Sequence, residues 1–81
     1  MKSEYKIIFD IPKNNDPSSV LRKLPSPIGP KMTEMYNYSV EPYGFYLLDN
    51  LVDQTTVGHA MKILIDQCLK YSGSVEIQKY P

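Results

Sequence analysis

The sequence predicts an α+β fold, a two-layer sandwich, and three observations carry that expectation. A period-two hydrophobic run at Tyr5–Ile11 gives way to a short capped helix at Asp16–Leu24. Two strand-like runs follow, around Glu34–Val40 and Gly44–Leu48. A long amphipathic helix over roughly Asp53–Tyr71 then leads into a last alternating strand at Ser74–Tyr80. The order β-α-β-β-α-β is the split βαβ, or ferredoxin-like, arrangement. It implies a four-stranded antiparallel sheet with two helices on one face. A chain of 81 residues supports one small core, so residues 1–81 are expected to form a single domain.

Each element has a local reason. In the first strand Tyr5, Ile7, Phe9 and Ile11 share a face and point inward, while Lys6, Ile8 and Asp10 point out. Pro12 stops the strand and Lys13-Asn14-Asn15 makes a polar turn. Asp16 is a good N-cap, and Pro17 at the first helical position loses no hydrogen bond. Val20, Leu21 and Leu24 form the apolar face, and Pro25 ends the helix. Pro25–Lys31 is a stiff loop. Its Pro27 and Pro30 have PxxP spacing, but no flanking arginine supports docking to an aromatic groove, so it reads as an ordered crossover.

The second strand carries Tyr36, Tyr38 and Val40 on one side and Met35, Asn37 and Ser39 on the other. Glu41-Pro42-Tyr43-Gly44 is a turn. Phe45-Tyr46-Leu47-Leu48 is apolar on both faces, as expected of a central strand. Asp53 or Thr55 caps the long helix, whose stripe is Val57, Met61, Leu64 and Cys68, widened by Ala60, Ile65 and Leu69. The opposite side pairs Lys62 with Asp66 and Asp66 with Lys70. Gly73 is expected to cap its C-terminus. In the last strand Val75 and Ile77 face inward, and Glu76, Gln78 and Tyr80 face out.

Composition narrows the function classes. Nine Lys+Arg balance nine Asp+Glu, so no strongly basic field exists to attract nucleic acid or acidic lipid. The single Cys forms no internal disulfide, which suits a reducing compartment. No apolar run approaches a membrane span, and Met1–Tyr5 lacks the apolar core of a signal peptide, so the expected location is cytoplasmic.

The chemistry of enzymes is thin. His59 and Cys68 lie nine residues apart on one helix, about 180° apart around its axis, so they cannot act as a nucleophile pair. Cys68 reads as a buried structural thiol and His59 as a surface side chain. Asp49 and Asp53 flank a helix start, where capping explains them better than a metal does. No glycine-rich phosphate loop is present. The expectation is therefore a non-enzyme, with no catalytic residues, no metal and no cofactor.

Binding is the remaining function. With both helices on one sheet face, the other face is open. The third strand exposes there either Phe45 and Leu47 or Tyr46 and Leu48. Seven Tyr and two Phe make an aromatic patch expected on so small a chain. The candidate binding residues are Tyr36, Tyr38, Tyr43, Phe45 and Tyr46. The function this suggests is a small protein-binding module: an inhibitor, an immunity or anti-defence factor, a regulatory subunit, or a self-associating homodimer. The open edge strand, taken to be the second, offers another pairing surface.

Two short segments resemble a known family. Ile7-Ile8-Phe9-Asp10-Ile11-Pro12 is similar to the first-strand motif of the RNA recognition motif, and Tyr43-Gly44-Phe45-Tyr46-Leu47-Leu48 to its third-strand motif. The resemblance implies RNA binding by base stacking on the open sheet face. Asp10 stands where that motif usually has Asn, Leu47 replaces a stacking aromatic, and no basic residue precedes Gly44. Only Lys6, Lys31 and Lys79 are placed to meet phosphate. A third alternative is a dimeric small-ligand sensor, for which no polar pocket constellation is readable.

Overall fold

The computed structural model describes residues 2–10 and 17–80. Four strands form one antiparallel sheet: β1 Ser3–Ile8, β2 Tyr36–Glu41, β3 Gly44–Asp49 and β4 Glu76–Lys79, in the spatial order β2-β3-β1-β4. Among the described residues one α-helix, α1 at Gln54–Tyr71, is present, and it joins β3 to β4. The α+β class expected from the sequence therefore stands, with a four-stranded antiparallel sheet; among the described residues the expected first helix is a 3-10 segment.

The difference lies in the first helix. Pro17–Lys23 is a 3-10 segment, and a second 3-10 turn covers Pro30–Met32. In an α-helix the carbonyl of Leu21 would accept from the amide of residue 25, but that residue is proline and has no N–H. The carbonyl instead accepts from Leu24 N–H at 3.3 Å, the tighter 3-10 pattern. A segment bounded by two prolines is also too short for α-helical propagation to offset nucleation. The segment still delivers its apolar face. Val20 is fully buried, and Leu21 and Leu24 pack against the core. The expected Asp16 cap, the stop at Pro12, the 13–15 turn and the inward Ile11 lie outside the described residues.

Register fixes which residues meet. Ile7 lies opposite Phe45 and Tyr5 opposite Leu47 across β1 and β3; Tyr38 lies opposite Leu47 across β2 and β3. These residues point toward α1 and build the core with Phe9, Val20, Met35, Tyr36, Val57, Ala60, Leu64 and Cys68. The Phe9 and Phe45 rings stack with centroids 5.5 Å apart. The stripe of α1 is narrower than expected. Leu69 is 46% exposed, whereas Gln67 is buried and donates to the Tyr71 hydroxyl.

Turn and cap chemistry explains the connections. The β2–β3 hairpin closes through Pro42 and Tyr43, with Glu41 opposite Gly44. Proline presets φ at Pro42, and Tyr43 keeps a negative φ, which excludes a type II turn. Gly44 then takes φ +141°, and a β-carbon there would lie 2.2 Å from the Ile7 carbonyl oxygen. Only glycine fits that close approach. At the start of α1, Asp53 accepts from Thr56 N–H and Thr56 Oγ1, both at 3.0 Å. At its end Ser72, in extended conformation, donates to the Cys68 carbonyl. Gly73 does not adopt the positive φ of the expected glycine cap. Lys62–Asp66 forms an ion pair of 2.7 Å. No helix among the described residues is long and apolar enough to cross a membrane.

The loop between Leu24 and β2 is ordered by its own bonds. Gly29 N–H donates to the Thr33 carbonyl and Met35 N–H to the Pro27 carbonyl, both at 2.7 Å. The Tyr36 hydroxyl, on an otherwise fully buried ring, donates to the Pro25 carbonyl. Burial pushes its pKa up to about 12. An unfolded tyrosine ionises near 10, so the unfolded chain loses this proton first. Stability is thus intact below pH ~10 and falls as pH rises from ~10 to ~12. We expect Tyr36→Phe to cost about 1 kcal/mol at pH 7, from the lost hydrogen bond. The variant should also lose stability less steeply than the parent above pH 10. Urea unfolding at pH 7 and at pH 11 measures both.

Candidate functional site

The open face of the sheet reads as three rows across the strands. The middle row runs Ser39, Tyr46, Lys6, Gln78. One flanking row runs Asn37, Leu48, Glu4, and is completed by Tyr80, whose N–H donates to the Glu4 carbonyl at 2.9 Å. The other runs Glu41, Gly44, Ile8, Glu76. The apolar pair that β3 exposes is therefore Tyr46 and Leu48.

Three tyrosines gather around one lysine. The Lys6 ammonium lies 5.1 Å from the Tyr43 ring centroid and 5.4 Å from that of Tyr80. The Tyr80 ring meets Tyr46 edge-on, at 6.4 Å and 62°. The Tyr46 hydroxyl donates to Glu4 Oε1 at 2.5 Å. A cation over an aromatic face at such distances contributes roughly 0.5–1 kcal/mol in an exposed setting. A shallow depression beside the cluster is lined by Lys6, Gln78, Lys79 and Tyr80.

The positions of the five candidate residues divide cleanly. Tyr43 and Tyr46 are together on the open face. Tyr36 and Phe45 are buried in the core and present nothing to a partner. Tyr38 is half-buried on the same inner side, its ring 5.8 Å from that of Tyr36. The physical reason is alternation. Tyr36 and Phe45 lie opposite Asp49 and Ile7 respectively, and those positions face α1. Lys6 and Tyr80 belong to the cluster but not to the five candidates. Period-two alternation puts both on the outer face. What brings them to Tyr46 is register, with Lys6 directly opposite it.

Electrostatics on this face is one-sided. Its outward register positions carry three carboxylates, Glu4, Glu41 and Glu76, against the ammonium of Lys6, with Lys79 at the end of β4 lining the depression beside it. Each carboxylate is held by a neutral donor: Tyr46 hydroxyl to Glu4, Ser39 hydroxyl to Glu41, and Gln78 amide to Glu76. The hydrogen bond to Glu4, followed by burial and the negative charge beside it, pushes the Tyr46 hydroxyl up to about 12. Tyr43 is also raised, by burial first and by Tyr80 and Glu41 after it.

The edge of β2 is partly blunted. Its Tyr38 N–H is taken by the Asn37 side-chain oxygen at 2.8 Å, which removes a donor from any added strand. The remaining reactive groups lie apart. His59 is exposed on α1, and Cys68 is fully buried, with its thiol pushed up to about 11 by burial. Asp49 Oδ1 accepts from Leu51 N–H, and Asp53 is engaged by Thr56. Among the described residues no group of three or more His, Cys, Asp or Glu is placed to hold a metal ion.

Comparison with known proteins finds no matching family model, no matching curated protein and no matching solved structure.

The Tyr46–Glu4 bond gives a direct test of the site's geometry. Replacing Glu4 by Gln keeps an acceptor but removes the charge that opposes phenolate formation. In Glu4→Gln one tyrosine should move from about 12 toward 10, the ordinary value. Phenolate absorbance, with Tyr46→Phe to assign the group, follows it. An unchanged titration would mean that Tyr46 and Glu4 do not meet.

Proposed function

We propose that this domain is a non-enzymatic protein-binding module, acting as an inhibitor, an immunity or anti-defence factor, or a regulatory subunit. Its contact surface is the open sheet face around Tyr43, Tyr46 and Tyr80. The observation that carries this reading is the tyrosine cluster itself. Three rings are held in place by one lysine and one carboxylate on a face that no helix among the described residues covers. Tyrosine suits interfaces because the ring supplies apolar area while the hydroxyl stays hydrated. Rings already fixed lose little rotamer freedom on binding, which lowers the cost of association.

The wider reading follows the same surface. The strand order β2-β3-β1-β4, with a 3-10 segment in place of the first helix, supports a ferredoxin-like scaffold. A buried free cysteine suits a reducing, cytoplasmic setting. A second copy of the chain is the self-association form of the same proposal. RNA binding through the face is disfavoured by its carboxylates, which repel phosphate.

Pull-down from the source cell, with and without nuclease, tests the proposal. A protein should be captured in both conditions, and Tyr46→Ala should reduce its capture about tenfold, the effect of an interface anchor worth over 1 kcal/mol. Circular dichroism of the variant checks that the fold persists. Capture that vanishes with nuclease, or is indifferent to Tyr46, would contradict the proposal. Light scattering during size exclusion reports the homodimer form.

A further inference from the structure

We propose that the partner presents arginine: a cationic protein segment whose guanidinium groups stack on the tyrosine rings of the open face and pair with the carboxylates beside them. This rests on the protein-binding reading and names the chemistry of what is bound. The argument is charge complementarity. The whole chain is neutral, yet the outward register positions of the open face hold three carboxylates to one ammonium, and counting Lys79, which lines the depression at the end of β4, still leaves carboxylates in excess. Lys2 and Asp10, at the ends of β1, add one charge of each sign and leave that excess unchanged.

The excess is not neutralised within the face. Its carboxylates accept from a phenol, a hydroxyl and an amide, so each is oriented but keeps its charge. Lys6 makes no ion pair with them. The one ion pair found among the described residues is on α1, between Lys62 and Asp66. Lys6 instead faces Tyr43 and Tyr80, on the side of the depression that Lys79 also lines. The anionic ground is Glu4, beside the Tyr46 ring, and Glu41 with Glu76 in the row beyond. Arginine suits such ground better than lysine. Its planar group stacks on an aromatic ring and offers a bidentate fork to a carboxylate at the same time. Nucleic acid brings stacking groups too, but its phosphates would meet these carboxylates.

Chemical-shift perturbation on the ¹⁵N-labelled full chain tests this with four capped probes: hexa-arginine, hexa-lysine, hexa-glutamate and a single-stranded oligouridylate. Hexa-arginine should give saturable shifts centred on Glu4, Lys6, Tyr46 and Tyr80. Hexa-lysine should act on the same amides about threefold more weakly, and the other two should leave them unmoved. Glu4→Gln combined with Glu76→Gln should weaken hexa-arginine about tenfold. Tyr46→Leu should erase the preference for arginine over lysine. The dispersion of the same spectra confirms that each variant is folded. Shifts centred elsewhere, an affinity indifferent to the two Gln substitutions, or oligouridylate binding on this face would overturn the proposal. A natural partner that needs Tyr46 yet binds the double Gln variant as tightly as the parent would overturn it too, while leaving the protein-binding reading in place.

Discussion

The pairing of Ile7 with Phe45 across β1 and β3 is the constraint from which both faces of the sheet follow. It sends Tyr5, Leu47 and Tyr38 toward α1, and it sends Lys6, Tyr46 and Glu4 the other way. A one-residue slip of β1 would turn Lys6 inward and Ile7 outward, leaving Phe45 without its partner. Two fully buried side chains meeting at the sheet centre make that slip costly, since each is worth roughly 1.5–3 kcal/mol of burial. Gly44 secures the register from the hairpin end, because the Ile7 carbonyl occupies the space a side chain there would need. The same central pairing thus holds the core closed and aligns the rings on the outside.

A domain this small has little stability to spare. Among the described residues its helical layer is α1 and the Pro17–Lys23 3-10 segment, so the inner face is thinly covered at the margin. Ile77, which points inward from β4, is 44% exposed, and Val40 on β2 is 37% exposed. Burial is concentrated under β1 and β3, where Ile7, Phe45, Leu47 and Leu64 are almost wholly excluded from water. The open face is therefore backed by fully buried side chains. That is the arrangement a preformed contact surface needs.

Much of this was legible in the residues. Alternation in Tyr5–Phe9 and in Val75–Gln78, the Asp53 cap and the spacing along α1 each located an element to within a few residues. The first helix was not legible as α-helix or 3-10, because that depended on which amide could reach the Leu21 carbonyl once residue 25 was proline. The site was half legible. Period two told that Tyr46 and Phe45 must point to opposite faces, but not which face α1 would cover. Phe45 and Tyr36 were thus candidates for the surface until the core claimed them. Lys6, Glu4 and Tyr80 lie far from Tyr46 along the chain. Their meeting depends on strand register, which no local pattern encodes.

The most direct measurement of this division is a proton NOE spectrum of the free domain. Lys6 ε-methylene protons should be shifted upfield by ring currents and show cross-peaks to both the Tyr43 and the Tyr80 rings. The Phe45 ring should show cross-peaks to Phe9 and none to Lys6. A Lys6 side chain resonating where a free lysine does, with no aromatic cross-peaks, would contradict the account. So would contact between Lys6 and the Phe45 ring, which would mean that the sheet presents its other side.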